Sequence, residues 1–232
     1  MQTIGILGGM SWESTATYYR TINEAVRHRL GGLHSAAIIL NSVDFAVIET
    51  LQQAGNWQQA GELLSSAAQS IEAAGADFLI IATNTMHKVA EQIEQNIQIP
   101  LLHIADATGA ALRTENIQRV GLLGTAFTME QAFYRQRLTD RYGIEVITPS
   151  PPDRQIVHDI IYQELCLGEI SLASRQQYLR IIDDLTAQGA EGVILGCTEI
   201  GMLIRPSDTR ARLFDTTHIH ALQAVEKAIG NT

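Results

Sequence analysis

The chain has 232 residues, 46% of them hydrophobic and 18% charged, with a formal net charge of -9. That is enough chain for one large or two small domains, and the apolar content is that of a globular protein. The negative charge is dispersed, which excludes the clustered lysines and arginines of a nucleic-acid or anionic-membrane surface.

The first nine residues lack the basic start and long apolar segment of a secretory signal, and no apolar stretch approaches the roughly 20 residues of a membrane span. Two cysteines, Cys166 and Cys197, allow at most one disulfide and carry no metal-ligand spacing. A reducing cytoplasm is the expected location, with no membrane and no nucleic-acid partner. Lysine is limited to Lys88 and Lys227, so a cofactor bound through a Schiff-base lysine has few places to attach.

In chain order, a strand is expected at Gln2 to Leu7, then the turn Gly8-Gly9-Met10 and a helix from Ser11, with Ser11 and Ser14 as candidate caps. Strand Ala36 to Leu40 leads into a loop through Asp44 and Gln52, and a helix covers Trp57 to Ala74. Strand Asp77 to Ala82 ends in the polar cluster Thr83-Asn84-Thr85-Met86-His87. Another helix follows, then a Pro100-led strand to Ile104 that reaches Asp106. This is the β-α-β-α order of a parallel α/β sheet.

From Val120 the pattern starts again. Val120-Gly-Leu-Leu-Gly124 repeats Ile4-Gly-Ile-Leu-Gly8, and Gly189-Ala-Glu-Gly-Val-Ile-Leu-Gly-Cys197 repeats Gly75-Ala-Asp-Phe-Leu-Ile-Ile-Ala-Thr83 at a separation of 114 positions. Leu213-Phe-Asp-Thr-Thr217 echoes Ile104-Ala-Asp-Ala-Thr108. Three paired segments in one order indicate an internal duplication. The expected fold is α/β, two similar domains, each a mostly parallel sheet flanked by helices. The first takes 1–105 plus 217–232, with a last helix from His218 to Ile229, and the second takes 106–216.

Cys197 follows the apolar run Val193-Ile-Leu195 and Gly196, where residues just past a strand's carboxyl end meet ligands in open α/β sheets. A lone cysteine is usually a small buried hydrophobe, and Thr83-Asn84-Thr85 alone reads as a helix cap. Their matched positions favour chemistry instead. Two proton-carrying groups converging on one carbon from opposite sides suit racemisation or epimerisation. The thiol makes a sensible base if the helix opened by Thr198 to Gly201 lowers its pKa.

The motifs Ile4-Gly-Ile-Leu-Gly-Gly-Met-Ser-Trp-Glu-Ser-Thr15, Ser42-Val-Asp-Phe45, Ala82-Thr-Asn-Thr-Met-His-Lys88, Leu102-His-Ile-Ala-Asp-Ala-Thr108, Leu122-Leu-Gly-Thr-Ala-Phe-Thr-Met129 and Gly196-Cys-Thr-Glu-Ile200 resemble those of the aspartate/glutamate racemase family. The resemblance is to its L-aspartate/glutamate-specific members, with Thr83 standing where most members have a first cysteine. It implies two domains related by a pseudo-two-fold axis, a cleft between them, no cofactor and no metal, an amino-acid substrate and a homodimer. It further implies that Cys197 takes the proton from the L enantiomer and Thr83 serves the other face. Asn84 and Thr85 would hold the α-carboxylate, Thr198 and Glu199 would lie near the amino group, and Met10, Gln52, Met86, Thr125 and Thr128 would line the cleft. A helix from Ile156 to Gly168 would cover the site.

The residue that holds a side-chain carboxylate is left open among Arg113, Arg119 and Lys88, as is aspartate against glutamate. Two other functions stay open at this point: a single-cysteine decarboxylase or cis-trans isomerase of the same superfamily, and a non-catalytic amino-acid-binding protein. The turn Leu7-Gly-Gly-Met10 lacks the spacing and lysine of a nucleotide loop. His87, His103, His218 and His220 read as capping or core residues.

Overall fold

The computed structural model describes residues 1–230 and separates into two compact units, one of Met1–Ile104 with the stretch that begins at His220, the other of Ala105–Ile219. Asn231 and Thr232, the last two positions of the first expected domain, lie outside the described residues.

The first unit runs β1 (Ile4–Gly8), α1 (Trp12–Leu30), β2 (Ile38–Ser42), α2 (Phe45–Gln53), α3 (Trp57–Ala73), β3 (Phe78–Ile81), a 3-10 turn at Thr85–Val89 and α4 (Ala90–Glu94). Its sheet is parallel in the order β2-β1-β3. Because side chains alternate across a strand, Ile4, Ile6, Phe78 and Ile80 pack with Tyr18, Ile22 and Val26 of α1, whereas Leu7, Leu79 and Ile81 pack with Leu64, Ala68 and Ile71 of α3. Both faces are covered, which is why the strands read as unbroken apolar runs.

Helix α5 (Ile104–Thr114) leads into the second unit, which continues with β4 (Arg119–Gly124), α6 (Ala126–Glu130), α7 (Ala132–Tyr142), β5 (Glu145–Ile147), α8 (Pro151–Gln163), α9 (Leu172–Ala187), β6 (Val193–Gly196), α10 (Ile200–Leu203) and β7 (Leu213–Asp215). The sheet is again parallel, in the order β5-β4-β6-β7. The fold class is α/β with parallel sheets flanked by helices, as expected. Helix α11 (Thr216–Ile229) begins in this unit, and its later residues Ala221, Ala224 and Val225 belong to the core of the first.

Four local expectations need correction. Gln52 is in a helix, not a loop: Asp44 accepts the Ala46 N–H at 3.1 Å and caps α2, and Gln52 is buried in that helix's last turn. The Pro100-led strand reduces to one bridge between Leu101 and Leu79, because Ile104 already opens α5. Asp106 therefore sits in the first turn of α5, paired with Arg137 and Arg141. The helix expected over Ile156 to Gly168 starts earlier and stops at Gln163, and Leu165–Leu167 forms a separate 3-10 turn.

Candidate active site

Thr83 lies two residues past the end of β3, and its position is set by backbone contacts from three elements. The Ala82 N–H donates to the Leu7 carbonyl at 2.9 Å, and the Ser14 hydroxyl of α1 donates to the Ala82 carbonyl at 2.9 Å. The Thr83 carbonyl faces the His87 ring nitrogen Nδ1 at 2.8 Å. Thr83, Asn84, Thr85 and Met86 are all buried. Gln52 donates to the Met86 sulfur at 2.8 Å, joining α2 to the 3-10 turn.

The turn before α1 lies in the same unit. Gly9 has a φ of 92°, and a Cβ there would overlap the Val43 carbonyl, so only glycine suits the position. Thr15 accepts the Gly9 N–H at 2.8 Å, and Ser11 caps α1 by accepting the Ser14 N–H at 3.3 Å. Ser11 is thus the cap, whereas the Ser14 side chain is committed to Ala82. Met10 is buried in the core beside Leu7 and Ile48.

In the second unit, β6 ends at Gly196 and Cys197 follows directly. A Cβ on Gly196 would meet the Leu123 carbonyl at 2.7 Å, so this strand end lies close against β4. The Cys197 thiol donates to Glu199 Oε2 at 2.9 Å, and the Thr198 hydroxyl donates to the same oxygen at 2.6 Å. Burial and then the negative charge of Glu199 raise the Cys197 pKa well above the ordinary thiol value, with Cys166 adding to the effect. The expectation of a thiol acidified by a helix start is therefore corrected. Helix α10 has only four residues and begins after Glu199, and the group facing the sulfur is a carboxylate.

Thr125 caps α6, receiving the Thr128 N–H at 3.4 Å, and the two hydroxyls lie 3.3 Å apart. Thr128 is fully buried, packed toward Gly124 and Gly196 at the neighbouring strand ends. The basic residues considered for a side-chain carboxylate have other contacts. Arg119 pairs with Glu145 at 3.4 Å, Arg113 reaches the Tyr142 carbonyl at 3.5 Å, and the Lys88 ammonium lies 3.8 Å from the Trp57 ring centre.

Within each unit the expected residues cluster by element: Met10, Gln52, Thr83, Asn84, Thr85 and Met86 in the first, and Thr125, Thr128, Cys197, Thr198 and Glu199 in the second. The reading of sequence missed the supporting contacts of Ser14, Thr15 and His87. For His87 the signal was spacing, since it stands four residues after Thr83, within one helical turn; Thr15 stands six residues after Gly9, and its contact depends on how the turn before α1 folds back. Among the described residues, no group of three or more His, Cys, Asp or Glu could hold a metal ion.

Residues 7–224 match the family model described as Asp/Glu/Hydantoin racemase. Among solved structures, the chain is similar to a Yersinia pestis protein described provisionally as an Asp/Glu racemase, at 56% identity and a TM-score of 0.93, covering 99% of this chain and 100% of that one. It is also similar to an aspartate racemase homologue from Pyrococcus horikoshii, at 32% identity and a TM-score of 0.86, covering 99% of this chain and 100% of the other. A glutamate racemase from Hydrogenobaculum sp. is 27% identical over 157 residues, which span 67% of this chain and 58% of that enzyme.

Proposed function

This chain belongs to the Asp/Glu/Hydantoin racemase family, and on that premise we propose that it racemises an acidic amino acid, L-aspartate or L-glutamate, without a cofactor. Its relatives are amino-acid racemases, so its enzyme class is that of the isomerases. The observation that carries the reading is the buried Cys197 thiol held on Glu199 at one strand end, with a buried hydroxyl, Thr83, at the duplicated strand end 114 positions earlier.

In this reading the two strand ends serve one bound amino acid. Its ammonium group lies near Thr198 and Glu199 and its α-carboxylate near Asn84 and Thr85. Glu199 takes the thiol proton as the ammonium arrives, because the added positive charge offsets the cost of a buried thiolate. Cys197 then removes the α-proton of the L enantiomer, the Thr83 hydroxyl delivers a proton to the opposite face and is recharged from solvent, and Glu199 releases the proton it took from the thiol back to solvent, which restores the starting state. Donors around the carboxylate stabilise the charge that develops on the carbanion. Met10, Gln52, Met86, Thr125 and Thr128 shape the space around the substrate.

A homodimer belongs to the same proposal. Trp12 and Tyr19 of α1 and Leu40 of the edge strand β2 are exposed and line one open groove of the first unit, a face that a second copy would cover. None of the described helices is long and apolar enough to cross a membrane, and a catalytic thiol suits the reducing cytoplasm.

The test is incubation of L-aspartate and L-glutamate with the protein in deuterated buffer, following the α-proton and the chirality. Deuterium at Cα together with D product supports the racemase. Loss of carbon dioxide would point to the decarboxylase, and thermal stabilisation without exchange would point to a binding protein.

A further inference from the structure

Buried histidines in the first unit link the Thr83 turn to α1, α5 and α11. His87 Nε2 lies 3.2 Å from the Ile104 N–H, a group that can only donate, so Nε2 accepts and carries no hydrogen. The hydrogen of the neutral ring is then on Nδ1, which donates to the Thr83 carbonyl at 2.8 Å. One ring thereby joins the first residue of α5 to the backbone of Thr83. His220 secures the adjoining segment: its Nδ1 meets the Tyr18 hydroxyl and its Nε2 meets the Leu102 carbonyl, each at 2.8 Å. The His87 ring lies 4.4 Å from that of His103 and 6.1 Å from that of His220.

The duplicated partner of His87, 114 positions on, is Gly201. Gly201 has no ring to offer the Cys197 carbonyl, which instead accepts the Ile200 N–H at 3.1 Å. The imidazole clamp therefore belongs to the hydroxyl half alone. The Ala82 carbonyl is held by Ser14 and the Thr83 carbonyl by His87, so both peptides flanking Thr83 are constrained, and with them the direction of its side chain. A hydroxyl that delivers a proton needs a short, directed approach, and a displacement of about 1 Å can cost on the order of 100-fold in rate.

We propose that His87 is a positioning residue for Thr83, aiming the hydroxyl at the substrate carbon by donating from Nδ1 to the Thr83 carbonyl. The proposal rests on the racemase reading above. It assigns His87 to one half of the reaction, the return of a proton to give the D product, and leaves proton removal by Cys197 untouched.

The experiment compares deuterium incorporation into recovered L-aspartate, which requires Cys197 and exchange of its thiol hydrogen with the deuterated buffer before a proton is returned, with formation of D-aspartate, which also requires Thr83. His87→Asn places an amide N–H near the position of Nδ1, and His87→Gln reaches the position of Nε2 instead. In His87→Ala and His87→Gln, D-product formation should fall about 100-fold while deuterium incorporation into L-aspartate changes less than about threefold. His87→Asn should recover most of the D-product rate. Equal loss of both readouts in all three variants, at unchanged circular dichroism, would make His87 a merely structural residue. Equal D-product rates in the Asn and Gln variants would dismiss the Thr83 bond, and this comparison decides if the Ala variant fails to fold. If the unmodified protein shows neither exchange nor inversion, the racemase reading has failed rather than the role given to His87.

Discussion

The Cys197 thiol donates its hydrogen to Glu199 Oε2 at 2.9 Å, and Thr198 donates to that same oxygen at 2.6 Å. One carboxylate oxygen thus gathers both neighbouring donors. The arrangement has opposite effects on the sulfur: the negative charge disfavours a thiolate, yet the carboxylate is the group that can receive the thiol proton.

Glu199→Gln separates those effects. Removing the negative charge should lower the Cys197 pKa, so alkylation of Cys197, followed by mass spectrometry of its peptide, should shift to lower pH. Turnover should nevertheless fall by about 100-fold, the scale of a lost proton-transfer partner. A variant whose alkylation profile moved upward would contradict the charge effect, and one that kept full turnover would remove Glu199 from the proton path.

Thr83→Ala should abolish formation of the D product while deuterium still enters L-aspartate through Cys197 once its thiol has exchanged with the buffer, and Cys197→Ala should abolish both. In the unmodified enzyme the two enantiomers are equal in energy, so kcat/KM must agree in the two directions although kcat and KM individually differ. A hydroxyl is a poorer resting base than a thiol, so the expected difference is a lower kcat from D-aspartate, offset by a lower KM. Initial rates from each enantiomer over a range of concentrations check this; equal kcat values would mean that Thr83 imposes no bias.

How far the fold could be read from residues depended on which interactions decide each element. The runs Ile4–Gly8 and Val193–Gly196 are buried on both faces, and their composition alone marks them as parallel strands. Helix α2 was missed because it is nine residues long and holds Val47, Ile48 and Thr50, residues with modest helix propensity. Its Asp44 cap and the packing of Ile48 decide the matter. Leu101 to Ile104 has strand composition, but the Ile104 N–H is taken by His87 and the Leu102 carbonyl by His220. The pKa of Cys197 was not legible either. A helix start three residues away is visible in a sequence, whereas full burial beside a carboxylate appears only once the side chains are placed.

His220 should make stability depend on pH. Its ring is fully buried between Tyr18 and the Leu102 carbonyl, and burial lowers its pKa from 6.5 to about 4. The unfolded chain takes up this proton near pH 6.5 and the folded one only near pH 4, so the unfolded state binds more protons across that window. Stability is therefore lost as pH falls from 6.5 toward 4, by about 3 kcal/mol from this group. Urea midpoints for the unmodified protein and His220→Gln across that range isolate the effect. The difference between the two proteins should shrink on acidification, and a constant difference would show that His220 is not the group responsible.

The turn that carries Met10 depends on glycine at position 9. Gly9 has a φ of 92°, its N–H is held by Thr15 at 2.8 Å, and a Cβ would overlap the carbonyl of Val43. Gly75 has a similar φ of 98°, with nothing within 4 Å of its would-be Cβ. Substitution by alanine at Gly75 therefore incurs the backbone penalty alone, about 1 to 2 kcal/mol. At Gly9 the same penalty is joined by a clash with fixed backbone, for a total of roughly 3 kcal/mol or more. Val43 cannot retreat freely, because its N–H donates to the Gly8 carbonyl at 3.1 Å. Differential scanning fluorimetry should show Gly9→Ala losing more thermal stability than Gly75→Ala by about 3 °C or more. Gly9→Ala should also lose racemase activity, since the chain leading into Met10 must move, whereas Gly75→Ala should keep it. Equal thermal shifts in the two variants would mean that Val43 yields and the turn is looser than its hydrogen bonds imply.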